Sequence, residues 1–95
     1  MELWIRSQDK ERLIKPIDFY LEEDIDYVNK SSEFDIYALN LANGDIRIGI
    51  YKTKERALEV LDEIQKILDT FEPKNMARMI VYEMPKEWLN VRNNN

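Results

Sequence analysis

Cysteine and histidine are both missing from these 95 residues. Without cysteine there is no disulfide framework, no thiol nucleophile and no thiolate metal site. Without histidine there is no Ser-His-Asp or Cys-His catalysis, no usual zinc centre and no side chain that shuttles protons near neutral pH. The two glycines, Gly44 and Gly49, are too few to write a phosphate-binding loop or a GxGxxG turn. Apolar runs are short, as at Met79-Ile80-Val81-Tyr82, whereas a membrane-spanning helix needs about 20 apolar residues. The opening Met1-Glu2 carries no basic-then-apolar leader. The expectation is a soluble cytoplasmic protein with no membrane partner.

What is present is enough for one core. Hydrophobic residues make up 44% of the chain, aromatics 11%, and the mean hydropathy of -0.57 fits a water-exposed surface. One α+β domain over residues 1–92 is expected, with 93–95 (Asn93-Asn94-Asn95) as a disordered tail.

The negative charge is concentrated. Residues 1–17 and 46–95 each carry a net charge of +1, while residues 18–45 hold eight acidic side chains against the single Lys30. No basic patch is available to neutralise phosphates, so direct nucleic-acid binding is disfavoured. The run Glu22-Glu23-Asp24-Ile25-Asp26 reads most simply as a solvated loop or edge strand. Residues 24–34 could be either.

Leu3-Trp4-Ile5 reads as a short strand closed by a turn at Ser7-Gln8-Asp9. Ile17, Phe19 and Leu21 then alternate with Asp18, Tyr20 and Glu22, the pattern of a strand with one wet face. Asn43-Gly44 predicts a two-residue type I′ hairpin turn, since that pair tolerates the two positive φ angles required. That turn would oppose Leu41 with Ile46, Leu39 with Ile48 and Tyr37 with Ile50, leaving Ile36, Ala38, Gly49 and Tyr51 on the second face. Gly49 would leave room there for a close approach.

Thr53 is a fair N-cap, and Pro73 forbids a helix past about Phe71. Between them Ala57, Val60, Leu61, Ile64, Ile67, Leu68 and Phe71 form one apolar stripe, predicting a helix over about 54–71. Its natural bed is the Tyr37, Leu39, Leu41, Ile46, Ile48 and Ile50 face. A strand follows from Met76 to Met84, with Met79 and Val81 on one side and Ile80, Tyr82 and Met84 on the other. Lys86-Glu87-Trp88-Leu89 could add one helical turn. The fold class expected is therefore α+β, two-layer, with a largely antiparallel sheet in the order β-β-β-β-α-β and one long helix on one face.

Three segments carry a resemblance: Ile5-Arg6-Ser7-Gln8-Asp9-Lys10, the stretch from Gly49-Ile50-Tyr51-Lys52-Thr53 through Ile64, and Tyr82-Glu83-Met84-Pro85. In this order they resemble a family of small proteins of Gram-positive bacteria and their phages. The resemblance implies a compact α+β domain and a prophage origin. It carries over no catalytic or ligand residue.

Several groups could in principle bear chemistry. Ser7, Asp9 and Lys10 could make a nucleophile–base group, but a turn in which Ser and Asp bond backbone amides explains them more simply. Glu22, Glu23, Asp24 and Asp26 could take a hard cation, and with it support a carboxylate-based, metal-dependent enzyme. Neither an EF-hand pattern nor a turning glycine accompanies them, so no metal site is assigned. Glu59 and Glu63 are four apart, which is also ordinary helix surface. Nothing calls for a cofactor.

The aromatic residues point elsewhere. The second sheet face, with Ile36, Ala38, Tyr51, Ile80 and Tyr82, is apolar and needs a cover, because monomers rarely leave such a patch open. The leading expectation is a non-enzymatic interaction protein that forms a homodimer through that face or a strand edge. The alternative is that Glu22, Glu23, Asp24 and Asp26, within the acidic 18–45 segment, imitate nucleic acid and occupy a basic host protein.

Overall fold

A computed structural model describes residues 2–70 and 79–86. In chain order the elements are β1 (Glu2–Arg6), β2 (Leu13–Ile14), β3 (Asp18–Asp26), β4 (Ser31–Asn40), β5 (Gly44–Tyr51), α1 (Lys54–Asp69) and β6 (Met79–Glu83). The chain is α+β as its patterning predicts, but the strands divide between two three-stranded sheets, ordered β2-β1-β6 and β3-β4-β5. All neighbours are antiparallel except β1 and β6, which run parallel with Leu3 beside Ile80 and Ile5 beside Tyr82. A parallel pair cannot be closed by a tight turn. Here most of the chain lies between its two strands.

The helix forms where its signals place it. Thr53 Oγ1 accepts from the Arg56 amide at 3.1 Å, Glu55 sits in the first turn, and Thr70 caps the end with its amide on Lys66 and Ile67 carbonyls. Ala57, Val60 and Ile64 are buried, Leu61 and Ile67 pack beside them, and Leu68 lies at the exposed margin of the stripe. Phe71, Met76, Glu87-Trp88-Leu89 of the helical turn expected over 86–89, and residues 93–95 lie outside the described residues.

The β4–β5 hairpin departs from expectation. Its loop is Leu41-Ala42-Asn43, three residues rather than two, with Asn40 opposite Gly44. The Asn40 side chain explains the change: its Oδ1 accepts from the amides of Ala42 at 2.9 Å and Asn43 at 3.2 Å, starting the turn early. Gly44 has a positive φ of 73°, and Asn43 does not share it, so the type I′ geometry never forms. Leu39 therefore faces Asp45, Ala38 faces Ile46, and Tyr37 faces Arg47. A bulge between Ile36 and Tyr37 on β4 leaves Ile48 as an extra residue on β5 and resumes pairing at Ile36 and Gly49.

The shift turns β4 over and, past the bulge, exchanges Ile50 with Tyr51, while Ile46 and Ile48 stay on the helix side as expected. Ile36, Ala38 and Tyr51, expected on an open second face, are fully buried beneath α1 together with Ile46 and Ile48. The bulge allows Ile46, Ile48 and Tyr51 to share that side although their spacing is not even. Tyr37, Leu39 and Ile50 go to the other face, and Leu41, 86% exposed, is in the loop. From the first sheet Leu3, Ile5 and Ile14 complete the same core, with Met84 buried and Ile80 and Tyr82 packed at its edge. A fully buried aliphatic side chain contributes about 1.5–3 kcal/mol, so this cluster supplies the cohesion between sheets and helix.

Among the described residues β3 pairs only with β4, and it continues past the end of β5, whose last residue, Tyr51, lies opposite Phe34. Asp24–Asp26 and Ser31–Glu33 thus form a two-stranded arm beyond the three-stranded body. Its tip is held by Asp26, which accepts from the Val28 and Asn29 amides at 3.0 and 3.1 Å and from Asn29 Nδ2 at 2.8 Å. Lys30 closes the turn with a φ of 54°. Tyr27 and Val28 are presented to solvent, 81% and 90% exposed.

Candidate functional site

The Ser7–Arg12 turn is a closed structural unit. Ser7 Oγ donates to Asp9 at 2.6 Å and accepts from the Arg12 amide at 3.1 Å, while Asp9 also accepts from the Glu11 amide at 3.0 Å. These bonds hold the Asp9 carboxyl below its ordinary range, the Ser7 hydroxyl first among them. Ser7 is buried and its hydroxyl is committed on both sides. The turn reading of these residues is the one realised.

Gln8 extends from that turn to the free side of β5. Its amide N–H donates to Ile48 O at 2.8 Å; its side chain accepts from Ile50 N at 3.0 Å and donates to Ile50 O and Pro85 O, each at 3.1 Å. Tyr51 Oη donates to the same Pro85 carbonyl at 2.8 Å, and the Met84 amide to Arg6 O at 3.0 Å. The close approach expected at Gly49 is made from within: a Cβ there would lie 2.9 Å from Tyr51 Cε2 and 3.2 Å from Met84 Cε. Three distant segments, around Gln8, around Ile50 and around Pro85, meet at this junction. Beside it a groove of about 600 Å³ runs along β5, bordered by Asp9, Arg12, Asp45 and Arg47.

The acidic segment acquires a face. Register places Asp18, Glu22, Asp24 and Asp26 of β3, Glu33 and Asp35 of β4, and Asp45 of β5 on the side of the second sheet away from α1. Of the eight acidic residues in 18–45, Glu23 alone points to the opposite side. The predicted Glu22, Glu23, Asp24 and Asp26 thus do not converge: three share a face, Glu23 leaves it, and Asp26 is occupied in the arm's tip. Hydrogen bonds to Asn29 hold the Asp26 carboxyl below its ordinary range. No group of three potential ligands is arranged to hold a metal ion among the described residues.

Two further features lie on the acidic face. Tyr20 and Tyr37 stack across the strands with centroids 5.1 Å apart and planes 9° from parallel, and Tyr20 Oη donates to Asp45 at 3.0 Å. Asp35, opposite Glu22, has a side chain only 4% exposed. Its Oδ2 lies 3.6 Å from Arg47, and its Oδ1 has no hydrogen-bond partner. Burial raises its pKa, Arg47 opposes the rise, and Asp24 and Glu33 add to it.

The apolar interaction set does not survive as a surface, since Ile36, Ala38 and Tyr51 are core. Ile80 and Tyr82 remain half-buried, and Tyr82 Oη donates to Glu63 on α1. Burial and that carboxylate raise the Tyr82 pKa well above the ordinary tyrosine range. Glu59 pairs instead with Arg56 at 3.2 Å. Asp18, Tyr20, Glu33, Asp35 and Asp45 lie within the acidic 18–45 segment but are not singled out by the sequence, although part of their grouping is legible in it. Asp18, Tyr20, Glu22, Asp24 and Asp26 alternate at strict period two, which on a strand is one face.

None of the described helices is long and apolar enough to cross a membrane. Compared with protein-family models, with curated proteins and with solved structures, the chain finds no match.

Proposed function

We propose that this is a non-enzymatic interaction protein that binds a basic protein partner through the outer face of its β3-β4-β5 sheet. The observation that supports this reading is the gathering of Asp18, Glu22, Asp24, Asp26, Glu33, Asp35 and Asp45 on that face, with Arg47 as the cation paired there. Carboxylates so placed attract a Lys/Arg-lined groove of the sort that takes a polyanion, and they speed association with steep salt dependence. Self-association through the apolar sheet face loses its support, because that face is covered by α1 within one chain. Pairing two copies along β3 would set Glu22, Glu23, Asp24 and Asp26 against the same residues of the second copy.

The test compares wild type with a Glu22→Ser/Asp24→Ser/Glu33→Ser variant as bait for basic proteins from a host lysate at low and moderate salt. Retention of a DNA- or RNA-binding protein by wild type alone, released by salt, is the expected result. Identical captures by the two baits would refute the reading.

A further inference from the structure

We propose that β3 is a docking strand, adding to its free edge an extended segment of the partner in which arginine or lysine alternates with smaller or apolar residues. This inference rests on the acidic-face reading and specifies the partner's chemistry and its mode of binding. β3 is nine residues long and, among the described residues, lies at the edge of its sheet and pairs with β4 alone. An edge strand offers a row of unpaired backbone donors and acceptors to an added chain. Its own carboxylates exclude a second copy of itself. The same carboxylates select a positively charged strand.

The spacing matches such a guest. Residues two apart on a strand stand about 6.8 Å apart and share a face, so basic side chains at alternate positions of an added strand meet Asp18, Glu22 and Asp24 in turn. Tyr20 falls between the first two, 37% exposed and stacked on Tyr37. An arginine opposite it gains an aromatic surface as well as carboxylates on either side. The opposite face of β3 carries Phe19, Leu21 and Ile25, so the intervening guest residues meet apolar side chains over most of the length. Asp35 is an independent indication. Its carboxylate is buried behind Glu22 with Oδ1 unpartnered, and Arg47 approaches only Oδ2, at 3.6 Å. An incoming guanidinium would supply what that oxygen lacks.

The experiment uses two octapeptides of identical composition, one alternating arginine with threonine and one with four arginines followed by four threonines. Each is titrated into the full chain by calorimetry and by amide NMR at about 50 mM and about 300 mM salt. The alternating peptide is expected to bind at least tenfold more tightly, to weaken several-fold at the higher salt, and to shift the amides of Tyr20–Asp26. Glu22→Lys is expected to abolish most of that binding, whereas Glu23→Lys, the same charge change on the opposite face, costs much less. Equal affinity for the two peptides, equal effects of the two lysine variants, or amide shifts along β5 in place of β3 would overturn the docking strand and leave the acidic-face reading standing. Failure of both peptides to bind at low salt would overturn both.

Discussion

Gln8 and Ile50 exchange two hydrogen bonds, Ile50 N–H to Gln8 Oε1 at 3.0 Å and Gln8 Nε2–H to Ile50 O at 3.1 Å. A side-chain amide has one donor and one acceptor side, like a peptide unit, so Gln8 completes the edge of β5 as a neighbouring strand would. Its second Nε2 proton goes to Pro85 O, which ties the end of β6 to the other sheet. Among the described residues the two sheets share no strand-to-strand ladder. This amide is a polar link between them, beside the apolar core.

Gln8→Ala is expected to destabilise the protein by about 1–3 kcal/mol, since it leaves part-buried backbone groups of Ile50 unpaired. Gln8→Glu should be worse at neutral pH, because a carboxylate has no proton to give to the Ile50 and Pro85 carbonyls. Urea unfolding of the two variants checks both the loss and the order.

Gly49→Ala is expected to cost about 1–3 kcal/mol through overpacking. Its Cβ would meet the Tyr51 ring at 2.9 Å and the Tyr51 hydroxyl at 3.0 Å. That ring cannot retreat easily, being fully buried and hydrogen-bonded to Pro85 O. If the hydroxyl and its bond to Pro85 hold the ring in that contact, Tyr51→Phe in the Gly49→Ala background should cost less than Tyr51→Phe alone, as a double-mutant cycle would measure.

Asp35→Asn should stabilise the protein at neutral pH. A carboxyl whose pKa is raised on folding binds its proton more tightly in the folded state, so its contribution is favourable at low pH and is lost as pH rises through the folded pKa. Asparagine removes the buried charge and its repulsion with Asp24 and Glu33. The gain over wild type in urea unfolding should be largest near pH 7 and fade toward the ordinary aspartate pKa of about 3.9. A variant less stable than wild type at pH 7 would mean that the Arg47 pair outweighs burial.

The tip of the arm should loosen in acid before the core does. Asp26 has its pKa lowered by the bonds it accepts from Asn29 and Val28, so what it contributes is present above the ordinary aspartate range and is lost as pH falls through the folded value. Amide exchange at Val28 and Asn29 should accelerate on acidification relative to Ile36 and Ile48, after correction for intrinsic rates. Asp26→Ala should show the same fast exchange at neutral pH.

Local signals in the sequence determined the helix, the alternation of β3 and the concentration of charge between residues 18 and 45. A cap at Thr53, a stripe at three- and four-residue spacing and period-two carboxylates each act over a few neighbouring residues, and no distant contact can readily reverse them. The sidedness of the β4–β5 hairpin was different. Ile36 and Ala38 on one side of β4, and Tyr37 and Leu39 on the other, are both apolar enough to face a core. The choice fell to the Asn40 cap, to the extra residue at Ile48, and to the match of Ile36, Ala38 and Tyr51 with α1 and the first sheet. Because side chains alternate, one added loop residue turned β4 over relative to Ile46 and Ile48. The same step carried Asp35 to the side of Asp45, Glu22 and Asp24, and so tertiary packing made a run of acidic residues into a single charged surface.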